Sequence, residues 1–307
     1  VITSWIILII GFILLVRGAD VFVDGAVDVA RRFRIPAIVI GTTLVAIGTS
    51  APEAAISITA ALKGSAGVSV GNVIGSNITN IFLILGVTAL IGAPTITKNT
   101  KYIELPFVGF VTVVMCLIGM WFGEISRISA LILLGLFVVF LGYMMIIAYK
   151  SNNESQKLKT MHLYETIIII IAGIAALIIG ANMITKSATD IARQIGVSER
   201  IIGLTLIAFG TSLPELVVCI VAAIKHEYDM AIGNIVGSNI FNILFVLGAA
   251  AAISPLPFSH EFLIDGVIAL VAVIMLMIAV ARKSKISRTA GISFLIAYVA
   301  YIFYLLG

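Results

Sequence analysis

The sequence predicts an all-α integral membrane protein whose ten transmembrane helices form two inverted five-helix repeats. Three observations predict this class. Of the 307 residues, 61% are hydrophobic and only 11% charged, with a mean hydropathy of +1.20, too little charge to cover a soluble domain. Apolar runs of about 20 residues, each able to cross about 30 Å of hydrocarbon, recur along the whole chain. A block of the first half also returns in the second at a constant offset of 162 residues.

The runs fall at 3–30, 36–62, 68–92, 103–122, 128–149, 163–193, 199–224, 230–253, 261–281 and 288–306. Backbone groups in lipid must be satisfied within the segment, and period-2 alternation is absent, so the runs read as helices rather than barrel strands. The first run has no basic leader and no cleavage site, and reads as a true span rather than a signal peptide. The clearly hydrophilic stretch KSNNESQKLKT from Lys150 to Thr160 is too short for a domain. The expected division is therefore a first repeat at 1–149, a short cytoplasmic linker at 150–162 and a second repeat at 163–307.

Lysine and arginine set the orientation. Alternate loops on one side carry 13 of them, including Arg31, Arg32, Arg34, Lys225, Arg282 and Lys283, whereas the opposite loops carry five, from Lys63 to Arg200. The 13-charge side is expected to be cytoplasmic, with both termini outside the cell membrane. The pI near 9.1 reflects this bias and does not indicate nucleic-acid binding. No obligate protein partner or cofactor is suggested. Cys116 and Cys219 lie inside spans without disulfide or metal spacing and read as small packing residues. The three histidines are peripheral and the central acids are glutamates, which argues against an intramembrane protease; no enzymatic activity is expected.

The repeat is strongest where the chain is most polar. IGTTLVAIGTSAPE at 40–53 returns as IGLTLIAFGTSLPE at 202–215, and GNVIGSNITNIFLILG at 71–86 returns as GNIVGSNIFNILFVLG at 233–248. Five spans per copy is an odd number, so the second copy must enter the membrane from the opposite side. Inverted repeats that share a site at the midplane are an architecture of secondary transporters.

The second and seventh runs centre near Ser50 and Ser212, and the third and eighth near Asn80 and Asn242. Glu53 and Glu215 each stand three residues from the centres at Ser50 and Ser212, at a depth where charge is costly and tends to be functional. Two carboxylates match one Ca²⁺ or two Na⁺; the alternative is a protonated pair tying helices together. Pro52 and Pro214 each remove a helix hydrogen bond and free a carbonyl about one turn earlier, near Gly48 and Gly210, although a proline kink can also serve packing alone. Asn72, Ser76 and Asn80 share one helix face at i, i+4, i+8, as do Asn234, Ser238 and Asn242; Asn77 and Asn239 lie beside that stripe. Hydroxyl, amide, carbonyl and carboxylate oxygens together suit hard cations.

GTSAPE with GNVIGSNITN, doubled as GTSLPE with GNIVGSNIFN, resembles the two alpha-repeats of the calcium/cation antiporter superfamily, and within it the sodium/calcium exchangers. The resemblance covers all ten spans. It implies an electrogenic antiporter that exchanges Na⁺ for Ca²⁺ by alternating access at four clustered ion sites. Carried over by motif, Glu53 and Glu215 with the Thr49 and Thr211 carbonyls would hold Ca²⁺. Na⁺ would use the same glutamates with Ala46, Ser50, Ser76, Ala208, Ser212 and Ser238, and Asn80 and Asn242 would close the centre. Within the resemblance, potassium-dependent relatives carry aspartate where this chain has the neutral Asn242, which argues against potassium co-transport. Proton-coupled relatives usually replace the Thr-Ser before the glutamate, so the resemblance makes Thr49-Ser50 and Thr211-Ser212 favour Na⁺ over H⁺, the alternative being an H⁺/Ca²⁺ antiporter on the same glutamate pair. The large regulatory loop of animal exchangers is absent.

Asp20, Asp24 and Asp28 form an i, i+4 stripe on the first run, matched by Asn182, Lys186 and Asp190 on the sixth. Two readings are open for it: a polar wall along an access route, or a salt-bridged stripe with Arg17 and Arg31.

Overall fold

The computed structural model describes residues 2–151, 161–196 and 208–306. The described chain is nearly all helix: α1 (Ile2–Phe33), α2 (Ala37–Thr49), α3 (Ala51–Leu62), α4 (Ala66–Gly92), α5 (Thr100–Phe122), α6 (Arg127–Ser151), α7 (Leu163–Gln194), α8 (Ala208–Thr211), α9 (Leu213–Ile224), α10 (Tyr228–Ile253), α11 (His260–Ala281) and α12 (Arg288–Leu306). Among the described residues eight helices are long and apolar enough to cross a membrane, and the bent pair α2–α3 makes nine. The apolar α9 belongs to the run expected at 199–224, whose first part, with Arg200, lies outside the described residues; so do Lys157 and Lys159 of the linker.

Burial separates a core from a lipid-facing shell. The most apolar windows of α4 and α10 are 72% and 83% buried, against 17–39% for α1, α5, α6, α7, α11 and α12. The shell exposes Ile9, Ile13, Leu131, Val138, Ile171 and Ile278, with Trp5, Trp121, Tyr149 and Tyr164 near helix ends. That is the pattern of an apolar belt with aromatic anchors.

The long helices α1 and α7 run against each other through small residues. A Cβ added at Gly18 would stand 2.8 Å from the Ala176 Cβ, and one at Gly180 would stand 2.7 Å from the Leu15 backbone nitrogen. Only glycine allows backbones this close. One end of the pair is tied by buried Asp28, which accepts from the Thr166 hydroxyl at 2.6 Å and the Met161 N–H at 2.9 Å.

Two short extended pairings each join two loops that the charge pattern assigns to the same side, one pairing on either side. β1 (Glu124–Ile125) pairs antiparallel with β2 (Leu256–Pro257), and Thr95 bridges to Lys285. Helical periodicity carries no trace of these two-residue pairings, so they are an addition to the sequence reading.

Candidate cation site

The site begins where the helices break. Ser50, at φ −84° and ψ 10°, separates α2 from α3, and the two axes differ by 48°. Ser212, at φ −86° and ψ 4°, separates α8 from α9 in the same way. Proline stands two residues beyond each break, and without an N–H it leaves the Gly48 and Gly210 carbonyls without their usual partner. Glu53 and Glu215 follow immediately, in the first turns of α3 and α9, and both are buried.

The core helices carry a second pair of irregularities. A π-turn opens at Asn80 (Asn80–Ile84) and another at Asn242 (Asn242–Val246). Such turns interrupt the helical ladder and gather at functional sites. A further π-turn at Gly41–Val45 precedes the first break.

Contacts at the centre cross between the halves. The Ser50 hydroxyl donates to Glu215 Oε1 at 2.8 Å, and the Ser212 hydroxyl stands 3.5 Å from both Glu53 Oε1 and Ser76 Oγ. Thr49 also interacts with Glu215, and Thr211 with Glu53. The Thr49 hydroxyl donates to Asn234 Oδ1 at 3.0 Å and lies 3.4 Å from the Ala46 carbonyl, while Ser238 lies 3.4 Å from Asn234 Oδ1. Asn80 donates to Asn239 at 2.9 Å, and Asn242 to Asn77 at 3.1 Å. Of the twelve expected site residues, Ala46, Thr49, Ser50, Glu53, Ser76, Asn80, Thr211, Ser212, Glu215, Ser238 and Asn242 are buried within these broken and core helices. Ala208 begins the short helix before the second break.

Four buried oxygens at this site have no hydrogen-bond partner among the described residues: Glu53 Oε2, Glu215 Oε2, Asn80 Oδ1 and Asn242 Oδ1; Glu104 Oε2, Tyr143 Oη and Asp265 Oδ1 share that condition elsewhere in the molecule. The four at the site form two pairs related by the 162-residue repeat. Among the described residues neither glutamate has an ion-pair partner. Buried, unpaired carboxylates must either bind protons or be neutralised by a cation. Unsatisfied acceptor oxygens of this kind are what a hard cation requires.

The sequence reading set Asn77 and Asn239 aside and took Cys219 for packing. Both assignments change. Asn77 and Asn239 are partners of Asn242 and Asn80, a role that the doubled Gly-Ser-Asn could have flagged. Cys219 occupies the repeat position of Ser57: Asn72 donates to Ser57 Oγ at 3.0 Å, and Asn234 to Cys219 Sγ at 3.3 Å. The aspartate stripe is salt-bridged, with other partners than the expected Arg17 and Arg31. Lys225 takes Asp20 and Asp24 at 2.7 and 2.6 Å, Arg32 approaches Asp28, and Arg31 approaches Glu227 at 3.9 Å. Asp24, Asp28, Arg31 and Lys225 also line a cavity of about 730 Å³ at this end of α1.

A polytopic helical protein with mid-helix breaks, paired buried carboxylates and unsatisfied acceptor oxygens is a cation/Ca²⁺ antiporter when its sequence relations are set beside its geometry. The family model described as sodium/calcium exchanger protein matches residues 3–146 and 165–307, and the chain belongs to that family. It is 36% identical to the putative antiporter CaxA of Alkalimonas amylolytica over 96% of each chain. It is 30% identical to the sodium/calcium exchanger MaX1 of Methanosarcina acetivorans over 97% of each. Its fold is that of the sodium-calcium exchanger NCX_Mj, solved after soaking with zero Na⁺ and Ca²⁺, with a TM-score of 0.87 and 34% identity over 99% of each chain.

Proposed function

We propose that the protein exchanges Na⁺ for Ca²⁺ across the cell membrane by alternating access, with Glu53 and Glu215 as the shared charged ligands. The observation that carries this reading is the set of four buried, partnerless oxygens on Glu53, Glu215, Asn80 and Asn242. Around them, the Thr49 and Thr211 carbonyls complete a Ca²⁺ position. Ser50, Ser76, Ser212 and Ser238 with the Ala46 and Ala208 carbonyls extend it into Na⁺ positions. The two ions compete for the same carboxylates, so each excludes the other. A site emptied of both would carry two uncompensated charges, and moving it through the low-dielectric barrier is unfavourable. Exchange is thereby obligatory. Replacement of one Ca²⁺ by three Na⁺ makes it electrogenic, at about 2.3 kcal/mol per charge per 100 mV.

The proposed frame has ten spans in two inverted halves, 1–149 and 163–307, joined by a cytoplasmic linker, with both termini outside. The bent α2–α3 is its second span, and α8–α9 with the preceding residues its seventh. Sodium is preferred to protons as the coupling ion because hydroxyls of both Thr-Ser pairs reach the carboxylates, and because MaX1 and NCX_Mj are named sodium/calcium exchangers.

The test is ⁴⁵Ca²⁺ uptake into proteoliposomes loaded with Na⁺, K⁺ or acid, for the native chain and Glu215→Gln. Uptake should require internal Na⁺ and vanish in the variant. Equal uptake driven by protons without Na⁺ would overturn sodium coupling.

A further inference from the structure

We propose that Asn77 and Asn239 are positioning residues that fix which way the Asn80 and Asn242 amides face, each acting on the opposite half. The inference rests on the ion site above but concerns residues outside its ligand set. Both asparagines are buried, at 4% and 2% exposure.

An asparagine amide presents an oxygen at one edge and an NH₂ at the other, and its neighbours decide which edge faces where. At this site the decision starts from the backbone. Asn239 Nδ2 faces the Asn77 carbonyl oxygen at 3.5 Å, and Asn77 Nδ2 donates to the Asn239 carbonyl at 3.2 Å. A carbonyl can only accept, so both NH₂ groups are committed and both Oδ1 atoms turn the other way. Asn239 Oδ1 then accepts from Asn80 Nδ2 at 2.9 Å, and Asn77 Oδ1 accepts from Asn242 Nδ2 at 3.1 Å. With their NH₂ groups held, Asn80 and Asn242 are left with Oδ1 buried and partnerless. A reversed amide at either position would set NH₂ groups toward a cation and an oxygen against an oxygen. The clamp therefore supplies two correctly turned acceptors, and each half turns the acceptor of the other.

A carboxylate has an oxygen at both edges and needs no turning. An aspartate at position 242 should therefore make the site indifferent to Asn77, which a purely structural role of Asn77 would not allow. The experiment measures the Ca²⁺ concentration for half-maximal thermal stabilisation of the purified full chain. The variants are Asn77→Ala, Asn242→Asp and the two combined, with the mirrored set Asn239→Ala and Asn80→Asp. Losing the anchor should raise that concentration on the order of tenfold, the loss expected for one hydrogen bond to a buried group. In the aspartate background the same substitution should cost less than about twofold.

Asn77→Ala and Asn239→Ala binding like the native chain would overturn the proposal. So would an equal loss in both backgrounds, which would make these asparagines packing residues. Should Asn242→Asp alone abolish binding, the mirrored set decides by the same criterion. Na⁺-driven ⁴⁵Ca²⁺ uptake by the native chain, run in parallel, separates the two readings. Ca²⁺ binding without Na⁺-driven uptake would remove the exchange reading and leave the clamp. Intact exchange with silent clamp variants would remove the clamp alone.

Discussion

The centre of the molecule and the Lys225 end of α1 follow opposite rules. At the centre the halves match residue for residue: Glu53 with Glu215, Ser50 with Ser212, Asn77 with Asn239 and Asn80 with Asn242. At the end they diverge. Asp20 and Asp24 are gripped by Lys225, while their repeat partners Asn182 and Lys186 offer no carboxylate to Lys63, the counterpart of Lys225. Glu227 approaches Arg31, and its counterpart is Ser65. In the proposed exchanger a site that serves both faces of the membrane gains from symmetry, because either half can then take either role. The proposed inverted frame puts the matching ends in different compartments, where no such demand holds. The difference teaches where function is shared between the halves and where it belongs to one of them.

The largest expected effect tests the symmetry of the centre. Glu53→Gln and Glu215→Gln should each lower Na⁺-driven Ca²⁺ uptake by at least about 100-fold, since each removes one charge from a buried cation ligand set, equivalent to roughly 3 kcal/mol or more. Flux assays in proteoliposomes check this directly. If one substitution is silent and the other lethal, the centre is less symmetric than its contacts suggest.

A smaller effect is expected where α1 meets α7. Gly180→Val would drive a side chain into the Leu15 backbone, which is 2.7 Å from the added Cβ, whereas Gly75→Ala meets nothing within 4 Å. Overpacking should cost about 1–3 kcal/mol in the first case and almost nothing in the second. Thermal unfolding in detergent compares them.

The helices and their order were legible because lipid imposes a strong rule: runs such as 68–92 and 288–306 must be apolar and must be helical. Glu53 and Glu215 were legible because ionisable groups at that depth are rare. The partnership of Asn77 with Asn242 was not. It depends on a contact between distant parts of the chain, and helical spacing put Asn77 off the polar stripe. The Lys225 grip was missed for a similar reason. Arg17 and Arg31 were near in sequence, but the partner of Asp20 lies 205 residues away. Cys219 was read by residue type, as packing, when its repeat position beside Ser57 held the information.

Lys225 carries the next prediction. Partial burial works against its charge, yet the hydrogen bonds and charges of Asp20 and Asp24 prevail and hold its pKa above the ordinary lysine value. Lys225→Met should release α1 at this end. In a chain carrying Val27→Cys, a position lining the cavity, thiol labelling from that side should rise roughly two- to fivefold, the worth of a partly exposed ion pair. Lys63→Met should leave labelling unchanged. Equal responses to the two substitutions would dissolve the asymmetry between the ends.

The smallest expected effect sharpens the symmetry of the centre. Ser57 and Cys219 both accept from an asparagine of the core helices, and Cys219 also approaches the Ala231 carbonyl at 3.6 Å. A serine at 219 can make both interactions, so Cys219→Ser should change Ca²⁺ affinity by less than about twofold, well under the worth of one buried hydrogen bond. Cys219→Ala removes the acceptor and leaves the buried Asn234 amide unsatisfied, at a cost of about 1–3 kcal/mol. Because Asn234 also accepts the Thr49 hydroxyl, that loss should appear in Ca²⁺-dependent stabilisation as well as in the melting temperature. If alanine proves as silent as serine, the sulfur only fills space, and the polar correspondence between Ser57 and Cys219 is incidental to the site.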